Sequence, residues 1–318
     1  MDPHHLTATG MPAAAPMFVV EPVPPAEWPA LGAFIFQNNR TAEGHVRCLH
    51  GDQGDDERSH VAELAELPTG EAAFWRVAGP GREMLGVIGC EIDTSQRRAW
   101  IRGPWTVPGA SSSVLERALL DALERALPEI DRLDAFPSEE SETLVALYRG
   151  AGYGRMNVHR VMQAALGDQG AAIAPDPRIR HAQSDDLLQW LPLHHALFPG
   201  SYLSDDEIAA ATDGGPRLVL TALFGGRAGG YLIAKDDATL GELYVDYLGV
   251  EPAARGQGLG RGLLLFAMRW GERRGRRRAA LTVRQDREEA LSLYGQCGFR
   301  QLRAGEHWRK DRSPPAAA

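Results

Sequence analysis

Three closely spaced glycines, Gly256, Gly258 and Gly260, follow a strand-like run and come directly before an apolar helical run. Glycine lets the backbone adopt positive φ angles and approach a ligand closely. The start of a helix directs free N–H groups and the positive end of its dipole at one spot, where a phosphate can bind without a lysine. The segment 241–268 therefore predicts an anion-binding loop between a strand and a helix.

Two other phosphate-binding motifs compete with this interpretation. A P-loop would continue with Gly-Lys-Ser/Thr, which does not follow Gly260. A dinucleotide-binding fold would place its glycines after its first strand, whereas here they come late, after an antiparallel-looking hairpin at 218–235. The pattern excludes the P-loop and disfavours the dinucleotide fold.

The elements that would position this loop occur twice along the chain. The segment 147–153, LYRGAGY, matches 293–299, LYGQCGF, and each follows a similar series of strand and helix patterns. The predicted fold class is α/β (α+β), with two tandem domains that each have a mixed, mostly antiparallel sheet flanked by helices. Only the second copy has the glycine loop, because the first has 108–113, PGASSS, in its place.

The predicted organisation follows from composition. A disordered leader is expected at 1–16 and a tail at 313–318. The degenerate copy spans 17–165, the loop-bearing copy spans 178–312, and a linker rich in Gly, Ala, Asp and Pro joins them at 166–177.

Charge and cysteine content limit the possible functions. The net charge of −8 makes a nucleic-acid partner a poor expectation. Cys48, Cys90 and Cys297 lie far apart without a CxxC pair, which argues against a disulfide framework and a zinc site. No signal peptide or long apolar run is found, so a cytoplasmic protein without a membrane partner is predicted.

Two separated motifs together resemble a known family. The run Val250–Gly260, VEPAARGQGLG, precedes Ala290–Phe299, ALSLYGQCGF, and the pair resembles the GNAT superfamily of acyl-CoA-dependent N-acetyltransferases. The family pattern is Gln or Arg, two residues, Gly, one residue, and Gly or Ala, which Arg255, Gly258 and Gly260 match. The resemblance is strong in the second copy and weak in the first.

The resemblance implies acetyl-CoA as co-substrate and no metal. The CoA pyrophosphate would bind the loop, and the pantetheine arm would pair with the end of the preceding strand. The residues that inherit these roles are Leu248, Gly249, Val250, Arg255, Gly256, Gln257, Gly258, Leu259 and Gly260. Arg287 stands where members often have an asparagine that contacts CoA. Two interpretations are open for Arg287: a contact to a phosphate of CoA, or a surface arginine at the start of a helix.

The resemblance also implies the acid and the base. Tyr294 precedes the Gly-Phe pair, where the family has a tyrosine that can protonate the leaving thiolate; a packed aromatic is the alternative. The equivalent Tyr148 is expected to be structural. Glu242 and Asp246 alternate along one strand and share a face. Family members draw a carboxylate from this strand, so either acid is a candidate base, and either could instead be solvated.

A second departure from the family pattern and three further groups of residues bear on the function. Thr282 stands where peptide N-terminal acetyltransferases carry Glu, which argues against that branch. His194 and His195 are candidates for substrate contact rather than metal ligands. The arginines of 269–278 favour a solvated face over nucleic-acid binding. Cys297 is predicted to be a small core residue.

The sequence thus predicts an N-acetyltransferase that moves an acetyl group from acetyl-CoA directly to a primary amine, the acceptor being a small molecule. A non-catalytic acyl-CoA-binding regulator and a protein-lysine acetyltransferase are the alternatives. The degenerate copy is expected to build part of the acceptor pocket or to stabilise the pair, and the oligomeric state is left open.

Overall fold

A computed structural model describes residues 18–40, 46–49, 56–67, 70–109, 112–167, 176–212 and 217–312. The predicted leader 1–16 and tail 313–318 lie outside these residues, as does most of the predicted linker.

The two copies have the same order of elements. The first repeat contains β1 (Val19–Pro22), α1 (Trp28–Asn38), α2 (Glu57–Glu66), β2 (Ala72–Ala78), β3 (Met84–Asp93), β4 (Arg98–Thr106), α3 (Ser112–Ala126), β5 (Arg132–Ala135), α4 (Glu142–Gly150) and β6 (Gly154–Ala165). The second repeat contains β7 (Ile179–His181), α5 (Ser184–Leu197), α6 (Asp205–Thr212), β8 (Arg217–Phe224), β9 (Arg227–Asp237), β10 (Glu242–Val250), α7 (Leu259–Arg273), β11 (Arg278–Arg284), α8 (Glu288–Gln296) and β12 (Arg300–Asp311).

All twelve described strands form one sheet in the order β1-β2-β3-β4-β5-β12-β6-β11-β10-β9-β8-β7. The β4–β5 and β10–β11 pairs are parallel, and the other described pairs are antiparallel. The predicted fold class, a mostly antiparallel sheet flanked by helices, is confirmed.

The last strand of each repeat pairs with the other repeat. β6 ends the first repeat and pairs with β11, whereas β12 ends the second repeat and pairs with β5. β6 and β12 also pair with each other, which makes the sheet continuous. The domain boundaries drawn from the sequence stay a prediction, and the strand pairing crosses them.

Helix α7 packs onto the sheet through one apolar stripe. Its buried residues follow helical spacing and are Leu259, Leu263, Leu264, Ala267 and Gly271. A Cβ atom on Gly271 would lie 3.2 Å from Cβ of Leu243, so the glycine permits a close approach to β10. This packing places the last turn of α7 beside the start of β10.

A cleft opens between the two parallel strands of the second repeat. β10 and β11 pair only from Glu242–Val245 to Arg278–Leu281. Beyond that point β10 bulges between Val245 and Tyr247 and continues to Val250 with β9 as its described partner, while β11 continues beside β6. Among the described residues, the edge of 246–250 that faces β11 thus has no strand partner.

Candidate active site

The glycine loop has the conformation that its sequence predicts. Gly256 and Gly258 have φ angles of 73° and 76°, a region that side chains rarely adopt. A Cβ atom on either glycine would meet no atom within 4 Å, so there is room at the backbone for a bound group. Gly262 N–H donates to the Gly258 carbonyl at 2.9 Å. Among the described residues, the N–H groups of 259–261 before it have no helical acceptor, as expected for a first helical turn.

Arg178, directly before β7, forms a hydrogen bond to the glycine loop. Its Nη2 donates to the Gln257 carbonyl at 3.0 Å and to Oδ2 of Asp176 at 2.7 Å. Arg255 donates from Nε to the Val250 carbonyl at 3.3 Å, which connects the loop to β10. No sequence motif marks Arg178, because the backbone carbonyl group that it binds belongs to Gln257, which is distant in the chain.

The end of β10 lies directly beside the loop. A Cβ atom on Gly249 would lie 2.4 Å from Cε1 of Tyr231, so only glycine lets this ring pack against the strand. A Cβ atom on Gly260 would lie 3.7 Å from Cγ2 of Val250. Leu248 and Val250 are half-buried, and Leu259 is buried. The structure therefore brings together the residues predicted to bind the cofactor.

Tyr294 lies on α8, next to the loop. A Cβ atom on Gly260 would lie 3.3 Å from Cδ2 of Leu293, which places α8 against the start of α7. Tyr294 is 8% exposed, and within the described chain its hydroxyl group has no hydrogen-bond partner. Burial, followed by the neighbouring Cys297, raises the pKa of Tyr294 to about 12. The phenol is therefore a proton donor at neutral pH.

Glu242 lies at the paired end of β10, far from the loop. Its carboxylate accepts from Nε of Arg278 at 2.9 Å. Burial raises the pKa of Glu242, and the Arg278 guanidinium opposes that rise. At about 3.3 Å per residue, Glu242 is roughly 25 Å along the strand from Val250. The structure does not bring Glu242 into the cleft.

Asp246 lies at the bulge, where the cleft begins. Its carboxylate accepts hydrogen bonds from the Tyr202 hydroxyl group and from Nη1 of Arg217. Burial raises the pKa of Asp246, while Arg217 and the Tyr202 hydrogen bond lower it. On the same strand, the Tyr244 hydroxyl group donates to Oγ1 of Thr282 at 2.9 Å across the narrow end of the cleft.

The segment between α5 and α6, which no sequence motif marks, contacts β10. The hydroxyl oxygen of Tyr247 accepts from Oγ of Ser201 and from the N–H of Tyr202, both at 3.0 Å. These bonds place Tyr202 beside Asp246. The segment is short and polar and contains no motif, so the sequence does not predict that Tyr202 lies beside Asp246.

The two histidines occupy different environments. His194 is fully buried, and its Nδ1 lies 2.8 Å from the Tyr231 hydroxyl group. Burial, followed by repulsion from His195, lowers the pKa of His194 to about 4, so the ring is neutral at pH 7. Its ring meets the Tyr247 ring edge-on at 4.8 Å. His194 thus lies behind the cleft, whereas His195 is exposed and contacts Asp205 at 2.8 Å.

The remaining candidates lie at the edges of the site. Arg287 is exposed at the N-cap of α8, near the open end of β11. In the arginine cluster, Arg274 and Arg276 bind Asp236; the Arg274 side chain is exposed, whereas those of Arg276 and Asp236 are largely buried. Cys297 is buried. No group of three His, Cys, Asp or Glu side chains able to hold a metal occurs in the described ranges. None of the helices described is long and apolar enough to cross a bilayer.

Comparisons with known proteins identify the family. The Acetyltransferase (GNAT) family model matches residues 181–299. A mycothiol acetyltransferase from Clavibacter sepedonicus is 33% identical over 277 residues, which cover 84% of this chain and 76% of that protein. The mycothiol acetyltransferase of Beutenbergia cavernae is 30% identical over 258 residues, with 80% and 71% covered.

Solved structures support the same fold over nearly the whole chain. A GCN5-related N-acetyltransferase from Sphaerobacter thermophilus has a TM-score of 0.71 at 17% identity, covering 96% of this chain and 99% of that one. A tandem GNAT protein from the clavulanic acid biosynthesis pathway has a TM-score of 0.65 at 16% identity, covering 94% and 99%. The family match and the two relatives confirm the predicted N-acetyltransferase class, and the chain belongs to the GNAT family of acetyltransferases.

Proposed function

We propose that the second repeat transfers the acetyl group of acetyl-CoA directly to the primary amine of a small molecule. The observation that carries this proposal is the cleft between β10 and β11, with the glycine loop at its end and the Tyr294 hydroxyl group beside it. The relatives named mycothiol acetyltransferase support a small-molecule acceptor.

The loop and strand edge supply the cofactor contacts in this proposal. The CoA pyrophosphate accepts hydrogen bonds from the backbone N–H groups of 256–261, where the α7 dipole also favours an anion. Arg255 and Arg287 lie exposed at the mouth of the cleft and add positive charge there. The pantetheine arm pairs with the backbone edge of 248–250 that faces β11.

Proton transfer is assigned to two side chains. The amine nitrogen forms a bond to the acetyl carbon while the C–S bond breaks, and the departing thiolate takes the Tyr294 proton. The nitrogen gives up one proton toward the Asp246 carboxylate. Burial raises the pKa of this carboxyl group and makes it a stronger base than a solvated aspartate. Glu242 has no part in these steps because it lies at the closed end of β10.

Acceptor-dependent release of thiol from acetyl-CoA tests this function. The panel holds amino sugars, polyamines, antibiotics, lysine peptides and the acceptor of the mycothiol acetyltransferases. We expect a small amine to support turnover in the native protein and the Gly258→Glu variant to be inactive. Unchanged turnover in that variant would contradict the loop assignment.

The two alternatives give different results in the same experiment. Turnover with peptides only would support protein-lysine acetylation. Acetyl-CoA binding without turnover of any amine, together with no effect of Tyr294→Phe, would support a regulator.

A further inference from the structure

One short segment of the second repeat is held by the first repeat. The Ser201 carbonyl accepts from Nε2 of Gln96 at 3.1 Å, and the Gly200 carbonyl accepts from Nη1 of Arg98 at 3.5 Å. Gln96 lies in the turn between β3 and β4, and Arg98 begins β4. The β3–β4 turn of the first repeat therefore contacts the backbone between α5 and α6.

The other side of the same segment contacts the cleft. Ser201 and Tyr202 both donate to the Tyr247 hydroxyl oxygen, and the Tyr202 hydroxyl group donates to Asp246. Tyr202 is 46% exposed, with its hydroxyl group turned inward onto the carboxylate. The exposed part of the ring is thus presented beside the proposed base.

The contact spans a large part of the sheet. β4 and β10 are separated in the sheet by β5, β12, β6 and β11. At about 4.8 Å per strand, five spacings correspond to roughly 24 Å in a flat sheet. Ser201 contacts Gln96 of the first repeat and Tyr247 of β10, so the segment 200–202 bridges the two repeats near the cleft.

On the basis of the proposed function, we infer that Gln96 is a positioning residue for the acceptor site and that Tyr202 contacts the acceptor. Gln96 fixes the Ser201 carbonyl, Ser201 and Tyr202 are fixed on Tyr247, and the Tyr202 ring is thereby held at the acceptor end of the cleft. The first repeat acts on acceptor binding through this bond, and the acetyl-CoA loop is not involved.

Separate Michaelis constants for the two substrates test this role. We expect Gln96→Ala to raise the KM for the acceptor about three- to tenfold, the equivalent of one hydrogen bond, with the KM for acetyl-CoA unchanged. The matched control is Gln37→Ala, which removes another exposed glutamine bond of the first repeat, from Nε2 of Gln37 to Glu57 at 3.3 Å. The control should leave both constants unchanged, and Gln96→Arg, which keeps a donor, should restore most of the acceptor affinity.

Hydrogen exchange tests the bridge without any acceptor. The N–H groups of Tyr202 and Leu203 donate to Tyr247 and to Oγ of Ser201, so both depend on the placement of the segment. We expect Gln96→Ala to speed exchange over 200–203 severalfold and Gln37→Ala to leave it unchanged. Unchanged exchange in Gln96→Ala, or equal shifts of both Michaelis constants, would overturn the inference. Because exchange needs no turnover, a failure of the proposed function would be seen separately, in the thiol-release experiment.

Discussion

In the first repeat, the Tyr148 hydroxyl group donates to the Gly103 carbonyl at 2.7 Å; in the second, the hydroxyl group of the equivalent Tyr294 has no partner within the described chain. In the first repeat Trp105, on β4, is also fully buried and donates from Nε1 to Oδ1 of Asn39 at 2.8 Å. The same order of elements can thus bond its tyrosine into the core or leave the tyrosine hydroxyl group without a partner among the described residues.

The helix starts differ in the same way. The fifth residue of α3 is Glu116, which is buried against Arg47 and Oγ1 of Thr106, whereas the fifth residue of α7 is the apolar Leu263. The first repeat therefore has a buried carboxylate, that of Glu116, near the start of α3. We expect one acetyl-CoA per chain.

The largest expected effect is on acetyl-CoA affinity, which should depend on the loop before α7 and not on the corresponding loop before α3. Gly258→Glu places a carboxylate at a positive φ angle in the proposed pyrophosphate site, and we expect acetyl-CoA to bind more than about 100-fold more weakly. Gly109→Glu changes the corresponding loop of the first repeat, where a Cβ atom also meets nothing within 4 Å, and should change affinity less than about twofold. Titration calorimetry measures both, and two binding sites per chain would contradict the comparison.

The two tyrosines should respond in opposite ways. Tyr294→Phe removes the proposed proton donor and should lower kcat about 100-fold with little change in stability. Tyr148→Phe leaves the buried Gly103 carbonyl unpaired, so the free energy of unfolding should fall by about 1–2 kcal/mol while kcat is retained. Steady-state kinetics and denaturant unfolding of both variants check this, and the reverse pattern would show that Tyr148 belongs to a working site.

The two acids of β10 provide a smaller contrast. Asp246→Asn should lower kcat/KM for the acceptor about tenfold, because the carboxylate at the bulge loses its basicity. Glu242→Gln should change it less than about twofold, since that residue lies at the closed end of the strand. A pH–rate profile of each variant locates the effect, and an equal loss in both would place the base elsewhere.

The smallest effect concerns acid stability. The buried His194 has a pKa of about 4, so the unfolded chain binds a proton more readily than the folded chain between pH 4 and about 6.5. Stability should therefore fall as the pH drops through this range, lowering Tm by about 5 °C. His194→Gln should flatten the dependence, as measured by calorimetry from pH 7.5 to 4.5. The equivalent position of the first repeat, three residues before the end of its first helix, is the buried Ile35, which does not titrate.

The sequence predicted the internal repeat, the glycine loop and the apolar helical run after it. The signals for α7 are local, because its apolar stripe and its glycine entry both lie within neighbouring residues. It did not predict β6 and β12. β12 reads RQLRAGEHWRKD, which has no clear apolar alternation because many of its side chains form polar contacts at the centre of the sheet. The exchange of these strands between repeats was consequently not predicted.

The sequence by itself determined the conformation of the glycine loop, since positive φ angles at Gly256 and Gly258 and the start of a helix after them are properties of neighbouring residues. Only the tertiary structure decided that the Tyr294 hydroxyl group has no partner among the described residues, that Asp246 lies at the bulge of β10, and that Gln96 bonds to Ser201. Those outcomes depend on contacts between distant residues, such as the bond between Gln96 and Ser201 across 105 positions, for which the sequence carries no local signal.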